Sequence, residues 1–242
     1  MKKNNLKKIF LPLAACSGLA LALATTAQAA TIAAGDVIKL DVSDAGDGAG
    51  TKTADWNTLA TTATPSIASG SVIRHGDGAV VDNTTIMLSG SGGEVGAIAP
   101  TAWTGLGSDP YYNSLSYTDF FWGSDMTVTF GGLDAGLTYN VRLYHLLTEG
   151  TANVDLTVTD GAGFINRTNL DRSDLFDTVP LSDDLIFNGV SADGSGNIIV
   201  NVDSTAGVNI EAVVLEAVAI PEPTTTALLG LGGLALILRR RK

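Results

Sequence analysis

The chain has 242 residues, 45% of them hydrophobic, with a single cysteine and a formal net charge of −11. Eight of its 14 basic residues crowd into the two ends, and only Glu222 of its 25 acidic residues does, so residues 30–219 carry six basic against 24 acidic side chains, a net −18. That sign excludes nucleic acid as a partner, because phosphates need basic patches, and it suits solubility outside the cell or the binding of cations.

The first thirty residues, "MKKNNLKKIFLPLAACSGLALALATTAQAA", have the three parts of a secretory signal. Lys2, Lys3, Lys7 and Lys8 make a positive start, Ile9 to Ala24 is apolar, and Ala27-Gln28-Ala29 sets small residues at the two positions a signal peptidase reads. This predicts residues 1–29 as a signal peptide cut after Ala29. Leu13-Ala14-Ala15-Cys16 resembles a lipoprotein box, and lipidation of Cys16 stands as a second reading beside an ordinary signal-peptide cysteine. The rest of the chain has no cysteine, which a domain of this size tolerates because it can bury enough core without disulfides.

From Ala30 to Ala219 short period-2 segments replace any long helical period. "VIKLDVS" opens the series. Gly76-Asp77-Gly78 parts "SVIR" from "AVVD" as a turn between two extended runs. "MTVTF" directs Met126, Val128 and Phe130 inward, and "TYNVRLYHLL" does the same with Tyr139, Val141, Leu143, His145 and Leu147. "NVDLTVTD" puts Val154, Leu156 and Val158 on one face, and "NIIVNVD" puts Ile198, Val200 and Val202 there. "IEAVVLEAV" is apolar on both faces, as a central strand is. Glycine and aspartate turns separate these runs, while "DWNTLA" and "RSDLFD" each suit one helical turn. The pattern predicts an all-β chain, one antiparallel β-sandwich or jelly roll over residues 30–219, with no internal repeat.

Candidate chemistry is sparse. The chain has two histidines, of which His145 falls on an apolar face and His75 beside a turn. No G-x-S-x-G elbow, H-E-x-x-H or CxxC occurs. Glu94, Glu149, Glu211 and Glu216 are the glutamates between the ends, and no spacing marks one of them as half of an acid–base pair. Asp41, Asp44 and Asp47 cluster, and "DGSGN" from Asp193 has oxygen donors at alternate positions, which a turn explains better than a calcium loop because the EF-hand glycine and distant glutamate are absent; these four aspartates are the candidate ligands of a structural calcium. Trp103, Tyr111, Tyr112 and Trp122 belong to a dense aromatic stretch, which serves either as a plug for one end of a sandwich or as a stacking surface for sugar rings. Acidic neighbours make a neutral polysaccharide the better partner for such a surface than a uronic acid.

The chain closes on "IPEPTTTALLGLGGLALILRRRK". Thr224 to Leu238 is 15 residues, a helix of about 22 Å against a hydrocarbon core of about 30 Å. Pro221 and Pro223 hold the preceding stretch extended, and Arg239, Arg240 and Arg241 fix the far end on the cytoplasmic side. A short transmembrane helix with a basic stop suits a segment held in the membrane until it is cut. This arrangement resembles the PEP-CTERM sorting signal. The resemblance implies that Pro221, Glu222, Pro223 and the arginines are recognition residues for an exosortase, and that the protein is exported in a bacterium with an outer membrane and associated with exopolysaccharide. "GDVIKLDVSDAG" and "DWNTLA" are similar to the opening of domains that often precede this tail. "GLDAGLTYNVRLYHLL" resembles the strand entry of galactose-binding-like and malectin-like sandwiches, which implies that fold and points toward carbohydrate.

Three functions follow as expectations. The first is an exported, non-enzymatic surface or matrix protein, with signal peptidase and exosortase as partners during export. The second is a carbohydrate-binding module, and the third a hydrolase of matrix polysaccharide.

Overall fold

The computed structural model describes residues 31–42, 56–59, 66–90, 93–95, 120–144, 147–148, 153–171, 183–210 and 212–220, with 93–95, 120–122 and 147–148 described as backbone only. The strands are β1 (Val37–Asp41), β2 (Asn57–Thr58), β3 (Ser66–Ile67), β4 (Thr85–Gly90), β5 (Gly93–Val95), β6 (Phe120–Gly131) and β7 (Leu137–Tyr144). They continue with β8 (Leu147–Thr148), β9 (Val154–Asp160), β10 (Gly163–Leu170), β11 (Ile186–Ser191), β12 (Ile198–Ile210) and β13 (Ala212–Ala219). A single 3-10 turn, Asp183–Leu185, precedes β11. One sheet has the order β11-β7-β13-β1-β2; the other has the order β10-β9-β12-β6-β4-β3, with β5 added on β6 and β8 on β12.

Alternation decides which face each strand buries. Met126, Val128 and Phe130 on β6, Val154, Leu156 and Val158 on β9, and Ile198, Val200 and Val202 on β12 are fully buried. They pack with Ile38, Leu40, Tyr139, Val141, Leu143, Val213 and Leu215 of the other sheet in one hydrophobic core. The result is the β-sandwich that the period-2 runs predict. β13 is buried on both faces over Ala212–Leu215 and lies between β7 and β1, so its two-sided apolar run does mark a central strand.

The Gly-Leu-Asp turn before β7 has a definite job. Asp134 Oδ1 accepts the Gly136 N–H at 2.7 Å, and the buried Tyr139 hydroxyl donates to the Asp134 carbonyl at 3.0 Å. The turn is thereby tied to the core on its own strand. Gly132 has φ +71, and a Cβ there would run into the Asn83 backbone carbonyl, so the position requires glycine.

The sequence reading needs two corrections. "DWNTLA" does not form a helical turn over its described residues: Asn57 and Thr58 are extended and pair parallel to Leu40 and Asp41 of β1, the one parallel pairing among the described strands. The cause is the buried Asn57 amide, which donates to the Lys39 carbonyl at 3.1 Å and the Ile73 carbonyl at 2.7 Å and accepts the Ile73 N–H at 2.8 Å. "SVIR" and "AVVD" do not form a ladder of strands; they meet in one bridge, Ile73 to Val80. The sheets are therefore antiparallel except at β1–β2. "RSDLFD", His145, the signal peptide and the C-terminal helix lie outside the described residues. Among the described residues no helix is long and apolar enough to cross a membrane.

The two ends of the sandwich differ. Tight turns join β6 to β7, β9 to β10 and β11 to β12 at one end, where Gly161 N donates to the Ser191 carbonyl at 2.9 Å and Leu133 N to the Gly196 carbonyl at 2.9 Å. The chain enters and leaves at this same end. Val37 pairs with Glu216, Ala217 N donates to the Asp36 carbonyl at 2.8 Å, and Ala219 pairs with Leu137. The aromatic-rich interval between β5 and β6 starts and finishes at the opposite end, since Val95 is paired with Phe120.

Candidate functional site

Aspartates at the entry end have a structural use. A short carboxylate that accepts backbone N–H groups two residues on is an economical way to hold a turn. Asp77 accepts the Ala79 N–H at 3.0 Å, Asp160 the Ala162 N–H at 2.9 Å, and Asp36 the Ala33 N–H at 2.8 Å. Arg74 adds a two-pronged contact to Asp77, at 2.7 and 2.8 Å, and reaches Asp36 at 3.2 Å. The Arg74 hydrogen bond and the Ala79 N–H hold the Asp77 carboxyl down at about 2.

Asp193 belongs to this group. Its Oδ1 accepts the N–H groups of Ser195 and Asn197, both at 2.8 Å, and these bonds keep its carboxyl below the usual range. The oxygen spacing of "DGSGN" thus serves a turn closed by Gly196 at φ +79. Asp41 is 3% exposed inside β1, opposite Ala212 at the far end of the sheet from Asp193. The structure does not bring these two together, and Asp44 and Asp47 lie outside the described residues. Among the described residues no group of three His, Cys, Asp or Glu is placed to hold a metal ion.

Trp103, Tyr111 and Tyr112 also lie outside the described residues, as do Ala27, Ala29, Pro221, Glu222, Pro223, Arg239, Arg240 and Arg241. Trp122 is placed by its backbone, opposite Asn209 on β12 and Gly93 on β5.

A different set of aspartates lies in mid-strand. Asp203 on β12 lies directly opposite Asp125 on β6 and Asp155 on β9, so three exposed carboxylates stand abreast on the outer face of the larger sheet. Like charges directly opposite one another destabilise a sheet. The neighbouring row is neutral: Thr127, Asn201, Thr157 and Asn166 follow across four strands, with Thr127 Oγ1 donating to Asn201 Oδ1 at 2.8 Å.

Beside Asp203 the ladder breaks. Between Asp203 and Val208 the β12–β6 register shifts, and β12 pairs with β9 up to Ser204 but with β8 from Val208. The gap opens a depression of about 280 Å³ lined by Asn153, Asp155, Asn169, Asp203, Ser204 and Thr205. Every described lining side chain is polar and none is basic. Asn169 stands at φ +58, where its N–H donates to Asp155 Oδ1 at 2.8 Å. The sequence reading missed this site because Asp155 and Asp203 look like ordinary outward residues of alternating strands. Only their register sets them side by side.

Residues 219–242 match the PEP-CTERM protein-sorting motif, which implies an exported protein sorted by an exosortase. Among curated proteins none matches the chain. A solved structure described as TmCBM61 in complex with beta-1,4-galactotriose is similar over 56% of this chain and 88% of that chain, at 12% identity and a TM-score of 0.26. At so low a TM-score the likeness adds nothing to the sandwich that the two sheets already define.

Proposed function

We propose that the protein is a non-enzymatic component of the cell surface or extracellular matrix, exported as a precursor and released or transferred by cutting near Pro221-Glu222-Pro223. The observation that supports this most is where the motif begins. β13, a central strand, ends at Ala219, and the sorting motif starts at that residue. Cutting beyond Ala219 leaves every described strand and the whole core on the mature side. The exposed Ile220 is the first residue past the sheet, so a membrane enzyme reaches the motif without unfolding anything. Leader and tail also attach at one end of the sandwich, so the precursor faces the membrane with its short turns and presents the other end outward.

The test is mass spectrometry of the mature protein from its host. Peptides from residues 31–219 are expected and none from 228–242. An intact tail in most molecules would contradict the processing.

A further inference from the structure

We propose that the depression between β9, β10 and β12 binds a neutral, hydroxyl-rich ligand, a segment of polysaccharide. This goes beyond the export reading and does not depend on it.

The depression is lined by Asn153, Asp155, Asn169, Asp203, Ser204 and Thr205, a set of amides, hydroxyls and two carboxylates. Such a lining accepts more hydrogen bonds than it donates, so it suits a ligand that brings many hydroxyl donors. Its described lining residues include no cation to receive a carboxylate or phosphate, and the Asp125–Asp203–Asp155 row repels anions. At about 280 Å³ the space is near the lower end of small-ligand sites, the size of a short stretch of sugar rather than a large cofactor.

Part of the lining has a use in the fold: Asp155 Oδ1 accepts the Asn169 N–H at 2.8 Å, and the buried Ser204 hydroxyl donates to the Gly207 carbonyl at 3.4 Å. Fold economy does not explain the carboxylate row: Asp36, Asp77, Asp134, Asp160 and Asp193 each cap a turn, whereas Asp203 faces Asp125 and Asp155 in mid-strand, an arrangement a stability argument disfavours. Asn169 holds a left-handed conformation that asparagine tolerates but does not prefer. Costs of this kind persist where binding needs them. Hydroxyl donors from a ligand would share out the opposed carboxylates' charge. The site also lies at the end of the β9–β10 hairpin away from its Asp160–Gly163 turn, hence away from the tail, open to an extracellular polymer even while the precursor is held at the membrane.

The test uses the protein purified from its host beside two variants, Asp155→Asn with Asp203→Asn, and Asn169→Gly. The first keeps shape and removes charge, and the second keeps the positive φ and removes the amide. All three are screened against neutral glucan, mannan and galactan oligosaccharides, with a polyuronate as control. The expected result is binding of a neutral oligosaccharide, none of the polyuronate, and a loss of about tenfold or more in affinity in each variant, as unpaired polar groups imply, with no drop in melting temperature. Absence of binding to every neutral oligosaccharide overturns the proposal, as does binding that both variants leave unchanged. A large loss of stability in both variants overturns it by making these side chains structural. A melting temperature raised by millimolar calcium, and insensitive to it in Asp155→Asn with Asp203→Asn, overturns it in favour of a cation.

Discussion

The Tyr139 hydroxyl is buried and donates to the Asp134 carbonyl, and burial pushes its pKa up to about 12. The phenol therefore holds its proton more tightly folded than unfolded, where its pKa is about 10. Its contribution is fully present below pH 10 and is lost as pH rises toward 12. Tyr139→Phe should cost about 1 kcal/mol, or about 2–4 °C in melting temperature. That gap should be constant from pH 7 to 9 in thermal melts and should shrink above pH 10. Asp77 has the opposite sign. Its folded value of about 2 lies below the unfolded one, so its contribution is present at neutral pH and disappears as pH falls from about 4 to 2. Asp77→Asn should remove that acid-side slope and leave the alkaline limb unchanged. The tyrosine was legible in the sequence as an inward strand residue, but its bond to the turn was not. Asp193 was ambiguous for a related reason: alternating oxygens read the same way for a calcium loop and for a turn, and the turn itself, with the Ser195 and Asn197 N–H groups 2.8 Å from Oδ1, is visible only in the structure.

Elements were legible in proportion to the contrast between their faces. Residues 125–130 of β6, 154–158 of β9 and 198–203 of β12 have one face fully buried and the other half-buried or exposed, and their alternation shows it. β10 is an edge strand whose residues are exposed or half-buried except Leu170, so no apolar rhythm announces it. Its anchor is Arg167, which lies over the Phe187 ring at 5.4 Å and pairs with Asp184 at 3.7 Å. β2 is two residues long and exists because of one side chain. Asn57 is 4% exposed and makes three hydrogen bonds to the backbone of Lys39 and Ile73. Asn57→Ala strands those groups and should cost about 2–4 kcal/mol. Urea unfolding should show a lower midpoint at unchanged slope. A midpoint equal to wild type would mean that water replaces the amide and that β2 is held by something else.

At the scale of the molecule the first and last strands meet. β1 pairs with β13 along its whole length, from Val37–Glu216 to Asp41–Ala212. A sheet whose centre joins the two ends of the chain cannot close until the last strand has been made, and such long-range pairing is slow. The sorting motif begins where that strand ends, so it is the next stretch of chain to follow once the sheet can close. The sandwich was legible from the sequence, and so was the sorting tail. Their junction at Ala219 was legible too, but the neighbours of its strand were not, because nothing in "EAVVLEAVAIPEP" says that its first half lies between β7 and β1. Two truncations separate fold from address. A chain ending at Ile220 keeps all thirteen described strands and should melt within about 2 °C of the longer protein, since it keeps every described core residue. A chain ending at Glu211 loses β13, exposing the flanks of β1 and β7 and removing Val213, Val214 and Leu215 from full burial. Each such side chain is worth about 1.5–3 kcal/mol, against a total stability of about 5–15 kcal/mol, so this chain should show no cooperative transition by circular dichroism. A cooperative melt after loss of β13 would mean that the larger sheet folds without its partner, and that the tail is not placed to wait for closure.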